Sequence, residues 1–141
     1  MEERPVSPES KKTILVVDGD VLVRQLLLDV LAHGDGYNVL AAESGAQGLQ
    51  QSREFEGEIH LLLTDFQMAG MTGIELATAM TVDRPKLKVL MVSGFPAGML
   101  VLNEGWHFLP KPFIASQLRT LVVGLVSPDK KSRFAATKPS E

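Results

Sequence analysis

The sequence predicts an α/β protein: a doubly wound parallel sheet with helices on both faces. Three observations carry this. Short aliphatic runs alternate with helix-period segments along most of the chain. Most of the runs are compact and apolar, which suits strands covered on both faces, as parallel strands are. Each run stops abruptly at a polar or turn-forming residue, and the resulting order, βαβαβαβαβα, is that of successive parallel crossovers.

Taken in order, Ile14-Leu15-Val16-Val17 is the first strand and halts at Asp18-Gly19-Asp20. In residues 21–33, Val23, Leu27, Val30 and Leu31 recur at i, i+4, i+7 and i+8, one face of a helix. Tyr37–Ala42 is a second, less apolar strand, and residues 45–55 a weaker helical stretch. His60-Leu61-Leu62-Leu63-Thr64 is a third strand, stopping at Asp65, with a helix over 73–81 beyond it. Val89-Leu90-Met91-Val92 stops at Ser93-Gly94. Residues 96–104 form the least regular helical stretch, since Pro96 and Gly98 disfavour it. Trp106-His107-Phe108-Leu109, halted by Pro110, is the fifth strand. Residues 114–126 close the pattern, with Ile114, Leu118, Leu121, Val122 and Leu125 on one helical face.

With 141 residues the chain makes one ordinary domain, large enough for folding to bury about two-thirds of its surface. Forty-five per cent of the residues are apolar, which excludes a wholly disordered chain. No apolar run reaches the ~18 residues of a membrane span, and the polar start lacks a secretory signal. Zero cysteines exclude a disulfide framework, a thiolate metal site and a thiol nucleophile. A net charge of −3 gives no reason to expect nucleic acid as a partner. The expectation is a cytoplasmic protein without a membrane partner. Residues 1–12 and 127–141 are rich in charge, proline and serine, and are expected to be flexible tails around a domain of residues 13–126.

The polar residues collect at strand ends. Asp18 and Asp20 follow the first strand, Asp65 the third, Ser93 the fourth and Lys111 the fifth. Open parallel sheets bind ligands outside the carboxyl ends of their strands. Taken singly, Asp20 before Val21 reads as a helix cap, Ser93-Gly94 as a turn and Lys111 as a solvated lysine. Taken together, carboxylates, a hydroxyl and an ammonium at one sheet edge suit Mg²⁺ and a phosphoryl group. The three histidines, His33, His60 and His107, share no spacing and are read as surface or boundary residues.

Four ordered motifs resemble the receiver domain of two-component response regulators, of the CheY-like superfamily. They are Ile14-Leu-Val-Val-Asp18 with Arg24; Asp65-Phe-Gln-Met68-Ala-Gly-Met71-Thr-Gly73; Val89-Leu-Met-Val-Ser93-Gly94; and Phe108-Leu-Pro-Lys111-Pro112-Phe113. The resemblance implies a flavodoxin-like three-layer sandwich of strand order 2-1-3-4-5. It implies that Asp65 accepts a phosphoryl group from a sensor histidine kinase or phosphotransfer protein. Asp18, Asp20, Asp65 and the backbone carbonyl of Gln67 then match the Mg²⁺ site, Ser93 and Lys111 the groups that meet the phosphoryl oxygens, and Phe108 the aromatic switch. A cis Lys111-Pro112 bond is expected on the same ground. Gln67 and Phe95 stand where the attacking water is influenced, which implies a long-lived phosphorylated state.

The match departs from the family at two places. Gly19 stands where a second acid that binds Mg²⁺ directly is usual, and Ala69 where proline is usual. Only residues 94–110 separate Ser93 from Lys111, so a short or irregular fourth helix is expected. The reading is a signalling phosphoacceptor, not an enzyme, with no output domain of its own, acting on a downstream protein partner. The alternative is a degenerate receiver that binds a partner without phosphorylation, which Gly19 favours.

Overall fold

The computed structural model describes residues 11–32, 36–94 and 106–126. The elements are β1 (Thr13–Val17), α1 (Val21–Ala32), β2 (Asn38–Ala42), α2 (Gly45–Glu54), β3 (Leu61–Asp65), α3 (Gly73–Asp83), β4 (Lys88–Ser93), β5 (Trp106–Pro110) and α4 (Ala115–Val126). The helix expected over 96–104, and with it Phe95 and His33, lies outside the described residues. The five strands are parallel and ordered β2-β1-β3-β4-β5, as the resemblance implied.

The apolar runs become the middle of the sheet. Every residue of β1 is buried, as are Leu61–Thr64 of β3 and Val89–Ser93 of β4. Alternation along each strand divides them between two cores. Ile14, Val16, Leu61, Leu63, Leu90 and Val92 pack with Leu27 and Leu31 of α1 and Leu118 and Val122 of α4. Leu15, Val17, Leu62, Val89, Met91 and Trp106 pack on the other side with Leu76, Ala77 and Met80 of α3. The helix α2 reaches that side through Gly48, where an added Cβ would lie 2.9 Å from Val17 Cγ2. Only glycine allows so close an approach.

Helix boundaries follow local capping. Ser44 caps α2 by accepting the Gln47 N–H at 3.1 Å. Thr72 and Glu75 form a reciprocal capping box at the start of α3, at 3.1 and 2.9 Å. That helix runs on to Asp83, two residues past the expected end, because Arg84 N–H still reaches the Met80 carbonyl. At α4, Ile114 has no capping side chain. Instead Gln117 Oε1 accepts the Ile114 N–H at 2.9 Å, and the helix begins at Ala115.

Candidate phosphoacceptor site

Parallel strands in this order bring the ends of β1, β3, β4 and β5 to one edge. Register places Asp65 beside Val92 and Ser93 beside Pro110. Lys111 follows at once, its N–H donating to the Ser93 carbonyl at 2.8 Å. Its ammonium Nζ lies 3.5 Å from Asp65 Oδ1, both side chains being largely shielded from water. The Lys111-Pro112 bond is cis, as expected. Ser93 is buried on the same edge.

Asp18 is 1% exposed. Its Oδ1 accepts the Asp20 N–H at 2.9 Å, while Oδ2 is buried with no hydrogen-bond partner. Burial pushes its carboxyl above the usual range; the Asp20 N–H opposes this, the Asp65 charge adds to it, Lys111 opposes and Asp20 adds. A buried carboxylate oxygen without a donor, facing the field of a second carboxylate, is the donor chemistry of a hard cation. The residues present therefore fit Mg²⁺ on this edge.

Asp20 is held differently from Asp18 and Asp65. Its Oδ1 accepts the N–H groups of Leu22 and Val23 at 2.9 and 3.4 Å, so it caps α1. Among the described residues no three acids or histidines are grouped as a metal site, so Asp20 is not brought into one cluster with Asp18 and Asp65. At Gly19 an added Cβ would meet only the Glu43 carbonyl oxygen, at an ordinary 3.6 Å. Gln67 is exposed on the loop after Asp65. Phe108 is half-buried against the core shared with α3, in register with Met91 of β4.

Three residues shape the site in ways that spacing alone does not reveal. Arg24, on the first turn of α1, returns its guanidinium to the Asp18 carbonyl at 2.7 Å. Thr64 follows the three leucines of β3, and its hydroxyl donates to the Asp65 carbonyl at 3.0 Å. Gly73 N–H donates to the Phe66 carbonyl at 2.8 Å, and a Cβ on Gly73 would collide with the Asp65 carbonyl oxygen. A hydroxyl residue between the leucine run and Asp65 was the available signal for Thr64; nothing local pointed to the Arg24 contact. His60 lies at the opposite end of β3 from Asp65, and His107 is exposed on β5. No helix among the described residues is long and apolar enough to cross a membrane.

Comparison with known proteins agrees with this geometry. The family model for the response regulator receiver domain matches residues 14–123. The response regulator receiver protein CpdR of Brucella abortus (strain 2308) is 37% identical over 117 residues, covering 79% of this chain and 91% of the relative. The sensor kinase CckA of the same organism is 31% identical over 136 residues, covering 86% of this chain but only 14% of that longer protein. A crystal structure of a CheY-like response regulator receiver domain protein from Methanospirillum hungatei JF-1 superposes with a TM-score of 0.76 at 27% identity. It covers 87% of this chain and 99% of that one. With the family model spanning nearly all of the sheet and its helices, the chain belongs to the response regulator receiver domain family of two-component systems.

Proposed function

We propose that the chain accepts a phosphoryl group on Asp65 from the phosphohistidine of a histidine kinase or phosphotransfer protein, and passes the signal on through a changed surface. An Asp65 carboxylate oxygen attacks phosphorus, the bond from phosphorus to the histidine nitrogen breaks, and an acyl phosphate forms. Such transfer depends on positioning and charge stabilisation rather than on acid–base groups. The observation that carries the reading is the Lys111 ammonium 3.5 Å from Asp65 Oδ1, at the sheet edge where Asp18 Oδ2 is buried without a partner. Lys111 holds the acceptor and then shares its charge with the phosphoryl oxygens. Ser93 offers a hydroxyl to the same group, and Phe108 follows it inward as the switch. Asp18, Asp65 and the Gln67 carbonyl would hold Mg²⁺, which when bound offsets negative charge on the phosphoryl oxygens.

Gly19 favours a second reading, a receiver that binds its partner without phosphorylation, because the edge has one carboxylate fewer than the family pattern. One experiment separates the two. The protein is incubated with Mg²⁺ and a small phosphodonor, and its intact mass is measured. The first reading expects the gain of a single phosphoryl group, lost in Asp65→Asn with the fold retained. No adduct at any Mg²⁺ concentration supports the second reading. An adduct that persists in Asp65→Asn overturns the assignment of the acceptor.

A further inference from the structure

At the end of the sheet away from Asp65, His60 and Thr13 exchange two hydrogen bonds. The His60 N–H donates to the Thr13 carbonyl at 2.9 Å, and the Thr13 N–H donates to His60 Nδ1 at 3.0 Å. The second bond is unusual in a sheet, because an imidazole nitrogen takes the place of a backbone carbonyl. It fixes the tautomer: Nδ1 is the acceptor, so the neutral ring carries its hydrogen on Nε2, which points at Glu58 Oε1 3.5 Å away. The side chain is 20% exposed, within reach of solvent protons. The His60 carbonyl also accepts the Lys88 N–H at 3.2 Å, so this one residue joins the starts of β1, β3 and β4.

We infer that His60 is a proton-released latch on the start of β1. A proton on Nδ1 converts the acceptor into a donor facing the Thr13 N–H, and the bond between them is lost. Among the described residues, Lys11 shares the cleft with the ring and Lys12 precedes β1; both are cations. Among the same residues Glu58 on its own loop is the acid facing it, and Lys88 opens the neighbouring strand. Burial lowers the tendency of the ring to take a proton most; Glu58 opposes, Lys12 lowers it further, and the Thr13 backbone opposes. The unfolded chain therefore binds this proton before the folded one does. The latch contributes fully above the ordinary value of 6.5 and is lost as pH falls through the folded value below it.

The test is an NMR titration of the full chain between pH 8 and 4.5, paired with denaturant unfolding of wild type and His60→Asn. Asparagine places a non-titrating oxygen near the position of Nδ1. The latch expects a His60 midpoint below 6.5, with the Thr13 amide shifting and its exchange accelerating at the same midpoint. It also expects the folding equilibrium of wild type to lose up to about tenfold per pH unit relative to His60→Asn in that window. A Thr13 amide indifferent to the His60 titration overturns the proposal, as does a midpoint at or above 6.5. Equal pH slopes in the two proteins overturn it as well. Should His60→Asn fail to fold, the Thr13 and His60 signals of wild type decide the matter alone.

Discussion

Asp18 has lost nearly all contact with water, yet only one of its two carboxylate oxygens has a partner. Its pKa is raised chiefly by burial, so the folded protein takes up this proton more readily than the unfolded chain does. The sign follows directly. Ionising Asp18 costs stability, and the cost is absent below 3.8 and grows as pH rises through the folded value. In Asp18→Asn the charge is gone, while an amide oxygen can still accept the Asp20 N–H. The variant is expected to be more stable than wild type at pH 7 in chelator, by ~1–3 kcal/mol. Added Mg²⁺ should then stabilise wild type and leave the variant unmoved, which urea unfolding with and without the cation measures. Gly19→Asp is expected to act in the opposite sense. The backbone admits the side chain, since a Cβ there has 3.6 Å of clearance from Glu43. A third carboxylate near Asp18 and Asp65 should destabilise the cation-free protein and tighten Mg²⁺ by at least ~1.4 kcal/mol, a factor of ten. Calorimetric titration of both proteins gives the comparison, and equal affinities would show that the glycine is compensated.

At the C-terminal ends of α2 and α3 one side chain makes four hydrogen bonds. The Arg84 guanidinium donates to Ser52 Oγ, to the Ser52 and Phe55 carbonyls and to the Gly57 carbonyl, at 2.8 to 3.1 Å. It thus satisfies the Ser52 carbonyl in the last turn of α2 and the Phe55 carbonyl at its C-cap. Nearby, Arg53 and Asp83 make a more exposed pair at 3.1 Å. Arg84→Ala is expected to cost ~2–3 kcal/mol, since several charge-assisted bonds to backbone are lost together. Asp83→Asn should stay within ~0.5 kcal/mol, as exposed ion pairs do. Chemical denaturation of the two variants distinguishes them. This contrast also marks what could be read from the chain alone. The buried strands were legible because an unbroken apolar run has few other uses. The edge holding Asp18, Asp65, Ser93 and Lys111 was legible because each residue ends or follows such a run. Arg84 and His60 were not, because their partners stand 27 to 47 residues away and no local pattern encodes the pairing. Asp20 carried both readings in the sequence, and its bonds to Leu22 and Val23 show the cap.

At the scale of the molecule, the sheet separates two apolar layers, α1 and α4 on one side and α2 and α3 on the other. The middle strands belong to both layers at once. The edge strands do not: β2 is mostly half-exposed, and β5 alternates between buried and open positions. Amide exchange should follow this division, with β1, β3 and β4 opening only in global unfolding and β2 and β5 exchanging earlier. Exchange measured by NMR or mass spectrometry checks it. Uniform protection across all five strands would contradict the layered account.

The strand order also sets a timetable for a growing chain. After β1 is made, β2 can cover one of its edges, but the other waits for β3. Completed β3 in turn exposes its own far edge until β4 has emerged. Residues 66 to 93 take about 1.4–6 s to synthesise at ~5–20 residues per second. Throughout that interval β3, Leu-Leu-Leu-Thr-Asp, has one ladder of backbone donors and acceptors with no partner. Nascent chains stalled between these two strands are the ones most prone to associate with each other or to recruit a chaperone. Chains released after Ser93 have already closed that window.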